Sequence, residues 1–317
     1  MALAPLSVST AFTAWQPDPA GLTVAVALAA GYLLLVRRAT RLGHSWPLWR
    51  TLTFLIAGVG TLLMATAGSF GVYADQLFWV YAVQLLLLLL IVPVFLAFGR
   101  PLSLLRLQAA GTPPREAGRW VTRLSHPLIG PALVPACTAL VFFTGLLNAS
   151  LRSSGVAAAV HLGLLLAGFI FALPLLGEGP PPASIAIAAA VFVGFLELLA
   201  DALPGFAVRM NDSLLTPWFA HLHRSWGPTP INDQHLGGSI LWGVAELVDL
   251  PFLAFMVVQW VRADARETVE VDRRLDAVAR SQAPTGEPLD SEAPWWERDA
   301  SVFGERAQQF RHDPKQR

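Results

Sequence analysis

The chain has 317 residues, of which 54% are hydrophobic and only 14% charged, with 22 basic and 22 acidic side chains in balance. Together with a mean hydropathy of +0.52, this excludes an ordinary soluble domain, and points to a chain that crosses a membrane several times. The single cysteine, Cys137, excludes an intrachain disulfide and any Cys-x-x-Cys metal or redox motif.

The first stretch, MALAPLSVSTAFTAWQPDP, has no basic residue ahead of an apolar core, so no cleavable signal peptide is predicted. A spanning helix needs roughly 20 mostly apolar residues. Seven segments qualify, at about 20–37, 50–68, 77–99, 129–148, 156–176, 184–203 and 236–261. The predicted fold is therefore all-α, a seven-helix membrane bundle (20–261) between a short external N-terminus (1–19) and a cytoplasmic tail (262–317). That tail opens as a helical extension, ADARETVEVDRRLDAVAR, and passes into SQAPTGEPLDSEAP, a composition expected to stay disordered. Its pair Trp295 and Trp296 reads equally as a docking point or as chance aromatics.

Arginine placement orients the bundle. The first connection carries Arg37, Arg38, Arg41 and Arg50, the third carries Arg100, Arg106, Arg115, Arg119 and Arg123, and the tail begins with Arg262, Arg266, Arg273 and Arg274. The alternate connections hold only Arg152, Arg209 and Arg224. The N-terminus is thus predicted outside and the C-terminus in the cytoplasm, as an odd number of spans requires. Lys315 is the single lysine, a bias of high-GC genomes and a weak pointer to a bacterium; the expected location is a bacterial plasma membrane. The longest outer connection, 204–234, places Trp218, Phe219 and Trp226 among polar groups and is expected to lie at the membrane interface.

Acids inside the apolar segments are the chemical signal. Glu246 and Asp249 stand at i, i+3 in the seventh segment, and Glu197 and Asp201 at i, i+4 in the sixth. An ionised carboxylate at the bilayer centre costs at least ~2.5–3.5 kcal/mol. Two explanations stay open: a functional site with a cation or proton between the acids, or protonated acids that tie helices together. His161, about one turn inside the fifth segment, has a depth similar to that of Glu197 and Asp201, and His221, His223 and His235 fall on the same side. The pair His221 and His223 lacks a third ligand in sequence, which makes it a weak transition-metal motif. His126 reads as a loop residue before a proline. No nucleophile elbow, Walker glycine loop or His-Glu-x-x-His motif occurs, so no enzyme is predicted. The arginines sit where topology needs them, so no nucleic acid is expected as a partner; membrane lipid is.

Four stretches carry a family likeness. FWVYAVQLLLLLLIVPVFLAFGRPLSLL resembles the third span, HLGLLLAGFIFALPLLGEGPPP the fifth span and its proline-rich exit, and DQHLGGSILWGVAELVDL the seventh span of the CtaG family, with WVRADARETVEVDRR similar to its charged ending. These are seven-span bacterial proteins of cytochrome c oxidase assembly, associated with delivering copper to the oxidase. The resemblance covers roughly residues 20–276 and places His161 at the family histidine and Glu246 at the family's intramembrane acid. It also marks departures. Tyr81 and Leu85 stand where the family has a His-x-x-x-His pair, Ala82 and Leu86 where methionines accompany it, and Leu196 and Glu197 near the sixth-span histidine. Gly179 replaces an aspartate before the exit proline, whereas Gln84 fits the pattern.

What the resemblance implies is an oxidase assembly factor with oxidase subunits or other assembly factors as partners. Copper would be handled by His161, Glu246, Asp233 and His235, with Glu197 and Asp201 beside them and Asp249 as a further intramembrane acid. Losing imidazoles and gaining carboxylates disfavours copper(I) and favours a hard cation or a proton. Two other readings therefore stand: a proton- or cation-coupled transporter using the acids of spans six and seven, and a metal-free assembly scaffold.

Overall fold

The computed structural model describes residues 4–108, 129–173, 200–222 and 224–282, with isolated positions 192 and 195. These are helical or irregular, with no strand among them. Contacts divide the chain into two units, Met1–Ala263 and Asp264–Arg317.

Helix α1 (Val8–Thr13) is a single capped piece near the start, with Ser7 and Thr10 bonded reciprocally. Helix α2 (Pro19–Arg41) starts sharply because Asp18 accepts from the amides of Ala20 and Gly21 and Pro19 fixes the first turn. It is followed by α3 (Leu48–Tyr73) and α4 (Phe78–Leu107), then α5 (Ile129–Phe143), α6 (Leu146–Arg152) and α7 (Ser154–Ala172). A helix covers 200–210, and α8 (Trp218–His221) and α9 (Pro230–Gln282) complete the described elements.

Helices α2, α3, α4 and α7 are each long and apolar enough to cross a membrane. They match the first, second, third and fifth predicted segments. The fourth is not a continuous helix to residue 148 as predicted. It breaks between Phe143 and Leu146 with a bend of 66°, because Gly145 takes a left-handed conformation (φ 78°) that ends α5 and starts α6 in a new direction. The greater part of the sixth segment, with Glu197, lies outside the described residues, as do His126, His223, Gly179 and the tail beyond Gln282. The seventh segment forms part of the 53-residue helix α9.

Helix α4 is the hub, with 72% of its most apolar window buried against 17% for α2. Its middle widens into a π turn at Leu87–Ile91 just before Pro93. Proline has no amide for the carbonyl four residues back and crowds it with its ring, so the backbone around Leu89 must loosen. Helix α7 uses that site. Gly168 packs onto the Leu89 carbonyl and the Pro93 ring, so closely that a Cβ there would overlap the carbonyl oxygen. Small residues at such crossings let membrane helices approach, since lipid gives them no hydrophobic drive to associate. The end of α4 is tied to α2 by Tyr32, whose hydroxyl donates to the Gly99 carbonyl at 2.9 Å while its ring stacks on Phe54 at 3.9 Å.

Candidate functional site

At the end of the bundle where α3 gives way to α4, the motif Asp233-Gln234-His235-Leu236-Gly237-Gly238 begins α9. Residue Leu77, ahead of α4, offers no side-chain acceptor to the free amides of the first turn. Asp233 supplies one from far along the chain. Its Oδ2 accepts from the Phe78 amide at 3.0 Å and its Oδ1 from the Trp79 amide at 3.1 Å. An anion at a helix N-terminus also meets the positive end of the helix dipole. Arg224 closes the arrangement, Nη2 donating to Asp233 Oδ2 at 2.9 Å, with the two side chains only 6% and 0% exposed. The same guanidinium reaches the carbonyls of Trp226 and Pro228 and lies 5.6 Å from the Trp226 ring. Burial pushes the Asp233 carboxyl above the usual carboxylate range, opposed by the two amides and by Arg224, all of which favour the anion.

Apart from the exposed Leu236, each later residue of the motif has a separate mechanical role. Gln234 Oε1 accepts from the Leu215 amide at 2.8 Å, and its Nε2 donates to the carbonyls of Ser213 (3.0 Å) and Asn211 (3.2 Å), clasping the loop. His235 Nε2 lies 3.2 Å from the Asn211 carbonyl. Gly237 sits against Phe78 and Trp79, and Gly238 meets Gly205 and Arg209 backbone to backbone. Arg209 Nη1 donates to Ser239 at 2.9 Å.

The aromatics of the 204–234 connection pack on this end of the bundle. Phe219 is buried against Phe78, Trp226 lies edge-on to Tyr73, and Trp218 Nε1 donates to the Asp75 carbonyl at 2.8 Å. Aromatic rings with a polar handle bury well when the handle finds a partner. The Asp75 carboxyl beside this cluster is raised by burial, partly offset by Gln76. One of its oxygens is buried without a hydrogen bond.

The positions where the family histidines would stand are filled by ordinary packing. Tyr81 is buried and shares a 2.9 Å hydrogen bond with Ser150, and Leu85 is buried in the apolar core. Gln84 donates to the Ala65 carbonyl at 2.7 Å.

His161 lies elsewhere. It is half-buried and lines a cavity of about 220 Å³ between α2, α3 and α7, with Gly21, Val24, Leu62, Thr66 and Ala158. Asp201 is buried in the 200–210 helix. Glu246 and Asp249 belong to α9, but their side chains, like all of Glu197, fall outside the described residues. Thus Asp233 and His235 come together around the 211–234 connection, and His161 lines a different cavity. Among the described residues no three His, Cys, Asp or Glu side chains gather as a metal set. Sequence reasoning missed Arg224 and Asn211. The signal for Arg224 was one of only two arginines in an otherwise base-poor aromatic connection; for Asn211 there was none.

A family model described as cytochrome c oxidase caa3 assembly factor matches residues 30–263. The chain belongs to the CtaG family. Its curated relatives include uncharacterized proteins of Mycobacterium bovis and Mycobacterium tuberculosis, each 28% identical over 290 residues, and one of Mycobacterium leprae, 28% identical over 286 residues. The matches cover 86% of this chain but only 43% of each relative, so the chain spans less than half the length of the proteins it matches. No solved structure matches it. The CtaG assignment and the apolar helices together make this a membrane protein.

Proposed function

We propose that this CtaG member works in cytochrome c oxidase assembly as a non-catalytic membrane scaffold, holding oxidase components at the Asp233 end of the bundle. Family membership supports the oxidase connection. The observation that carries the scaffold reading is the shell around Asp233: two amides and a buried guanidinium already use its oxygens. A cargo metal would have to displace an arginine from a dry ion pair, and hard carboxylate oxygen is a poor ligand for copper(I).

A second reading, transfer of copper as cargo, is favoured by one observation. His161 lines a cavity that Gly21, next to the Asp18 carboxylate, also lines. In that reading His161 is the entry ligand, with Glu246 and Glu197 as further donors.

The test is oxidase content in cells lacking the chain, restored with the wild type or with His161→Ala, His235→Ala. The scaffold reading expects the double variant to restore assembled oxidase and to co-purify with its subunits. Loss of oxidase at an unchanged level of the variant in the membrane would overturn it.

A further inference from the structure

The opposite end of the bundle carries a site that the assembly reading does not use. Here α2 ends, α3 begins and α4 runs out. Arg50 of α3 lies 5.0 Å from the Trp46 ring and 5.4 Å from the Trp49 ring. Its Nε is buried and has no hydrogen-bond partner. The hydroxyl that could have answered it is taken: Tyr32 accepts from Trp46 Nε1 at 3.1 Å and donates to the Gly99 carbonyl. No carboxylate occurs in residues 37–58 or 94–108, whereas Arg37, Arg38, Arg41, Arg100 and Arg106 all do.

We propose that this end binds the phosphate of an anionic phospholipid, with Arg50 as its central contact. A guanidinium is a planar set of donors matched to phosphate oxygens, and it stacks on aromatic faces without losing them. Two indoles hold Arg50 in place, so little freedom is lost when an anion arrives. Orientation by positive charge alone needs arginines near a membrane surface; it does not need one set against two tryptophan rings with a buried, unanswered nitrogen.

The lipid, rather than a free ion, is indicated by what adjoins the arginine. Leu48, Leu52 and Ile56 recur every fourth residue on α3 and are 70%, 45% and 69% exposed. They form an apolar stripe about 12 Å long beside Trp49 that runs into the depth where acyl chains lie; Arg50 leaves the helix on the other side, and its guanidinium meets the stripe through the Trp49 ring. Trp49, 57% exposed, stands at its head, where interfacial aromatics are placed. Basic pockets between membrane helices are suited to anionic headgroups in this way.

The experiment uses the full chain, purified and delipidated in a neutral detergent. Phosphatidylglycerol and phosphatidylcholine with the same acyl chains are added, and retained lipid is counted by native mass spectrometry. The wild type is expected to keep phosphatidylglycerol about tenfold better, and Arg50→Gln to lose that preference. Arg152→Gln, at the other end, is expected to retain it, and millimolar inorganic phosphate is expected not to displace the lipid. Equal retention of the two lipids by the wild type overturns the proposal, whether or not Arg50→Gln folds. So does an undiminished preference in a folded Arg50→Gln, or displacement of the lipid by inorganic phosphate, which would mark an ion site.

Discussion

Replacing Asp233 with alanine is expected to lower the stability of the membrane unit by about 3–5 kcal/mol, because removing one partner of a buried ion pair leaves the other charge without compensation. The side chain of Arg224 is only 6% exposed, so water cannot take the place of the carboxylate. The amides of Phe78 and Trp79 would lose their acceptor at the same time, and the lost cap alone is worth about 1 kcal/mol. Asp233→Asn keeps an acceptor oxygen but no charge, and is expected to fall between the two. Adding Arg224→Leu to Asp233→Ala removes the stranded cation and is expected to recover part of the loss, an interaction that a double-mutant cycle isolates. Thermal unfolding in detergent reads the wild type, these variants and the single Arg224→Leu that completes the cycle. Near-identical melting of Asp233→Ala and wild type would mean that the ion pair does not hold this end together.

Gly168→Ala is the second large effect. Alanine is ordinarily the better helix former by up to about 1 kcal/mol, so the sign of the change depends on what the new methyl meets. At Gly168 it meets the Leu89 carbonyl and the Pro93 ring. Backbone held by the centre of α4 cannot step aside as the tip of a flexible side chain can, and overpacking of this kind costs about 1–3 kcal/mol. A net loss is expected, larger for Gly168→Leu. Gly163, on the same helix, has open space where its Cβ would be, and Gly163→Ala is expected to be neutral or mildly stabilising. Equal melting temperatures for Gly168→Ala and Gly163→Ala would contradict the close crossing of α4 and α7.

How much of this was legible in the sequence differs from element to element. The long apolar helices were, because 20 consecutive lipid-compatible residues have few alternatives. The break after Phe143 was signalled only by Thr144-Gly145, and hydropathy alone reads through such a glycine. The motif at the start of α9 stood out as unusual, and the resemblance pointed to the correct family, but the motif's chemistry was not readable. An Asp beside a His looks like a ligand pair until the partners appear. Asp233 is answered by amides some 155 residues away, and His235 by a carbonyl 24 residues away. Such partners are set by tertiary packing and have no local pattern. Tyr81 could be seen to replace a histidine; that it bonds to Ser150, on a helix created by the break in the fourth span, could not.

The most direct test of the scaffold account is the copper content and copper(I) affinity of the detergent-purified chain, measured beside His161→Ala. The account predicts well under one copper per chain and no difference between the two proteins. One tightly held copper per chain, lost in His161→Ala, would contradict it and favour the copper-transfer reading at the His161 cavity.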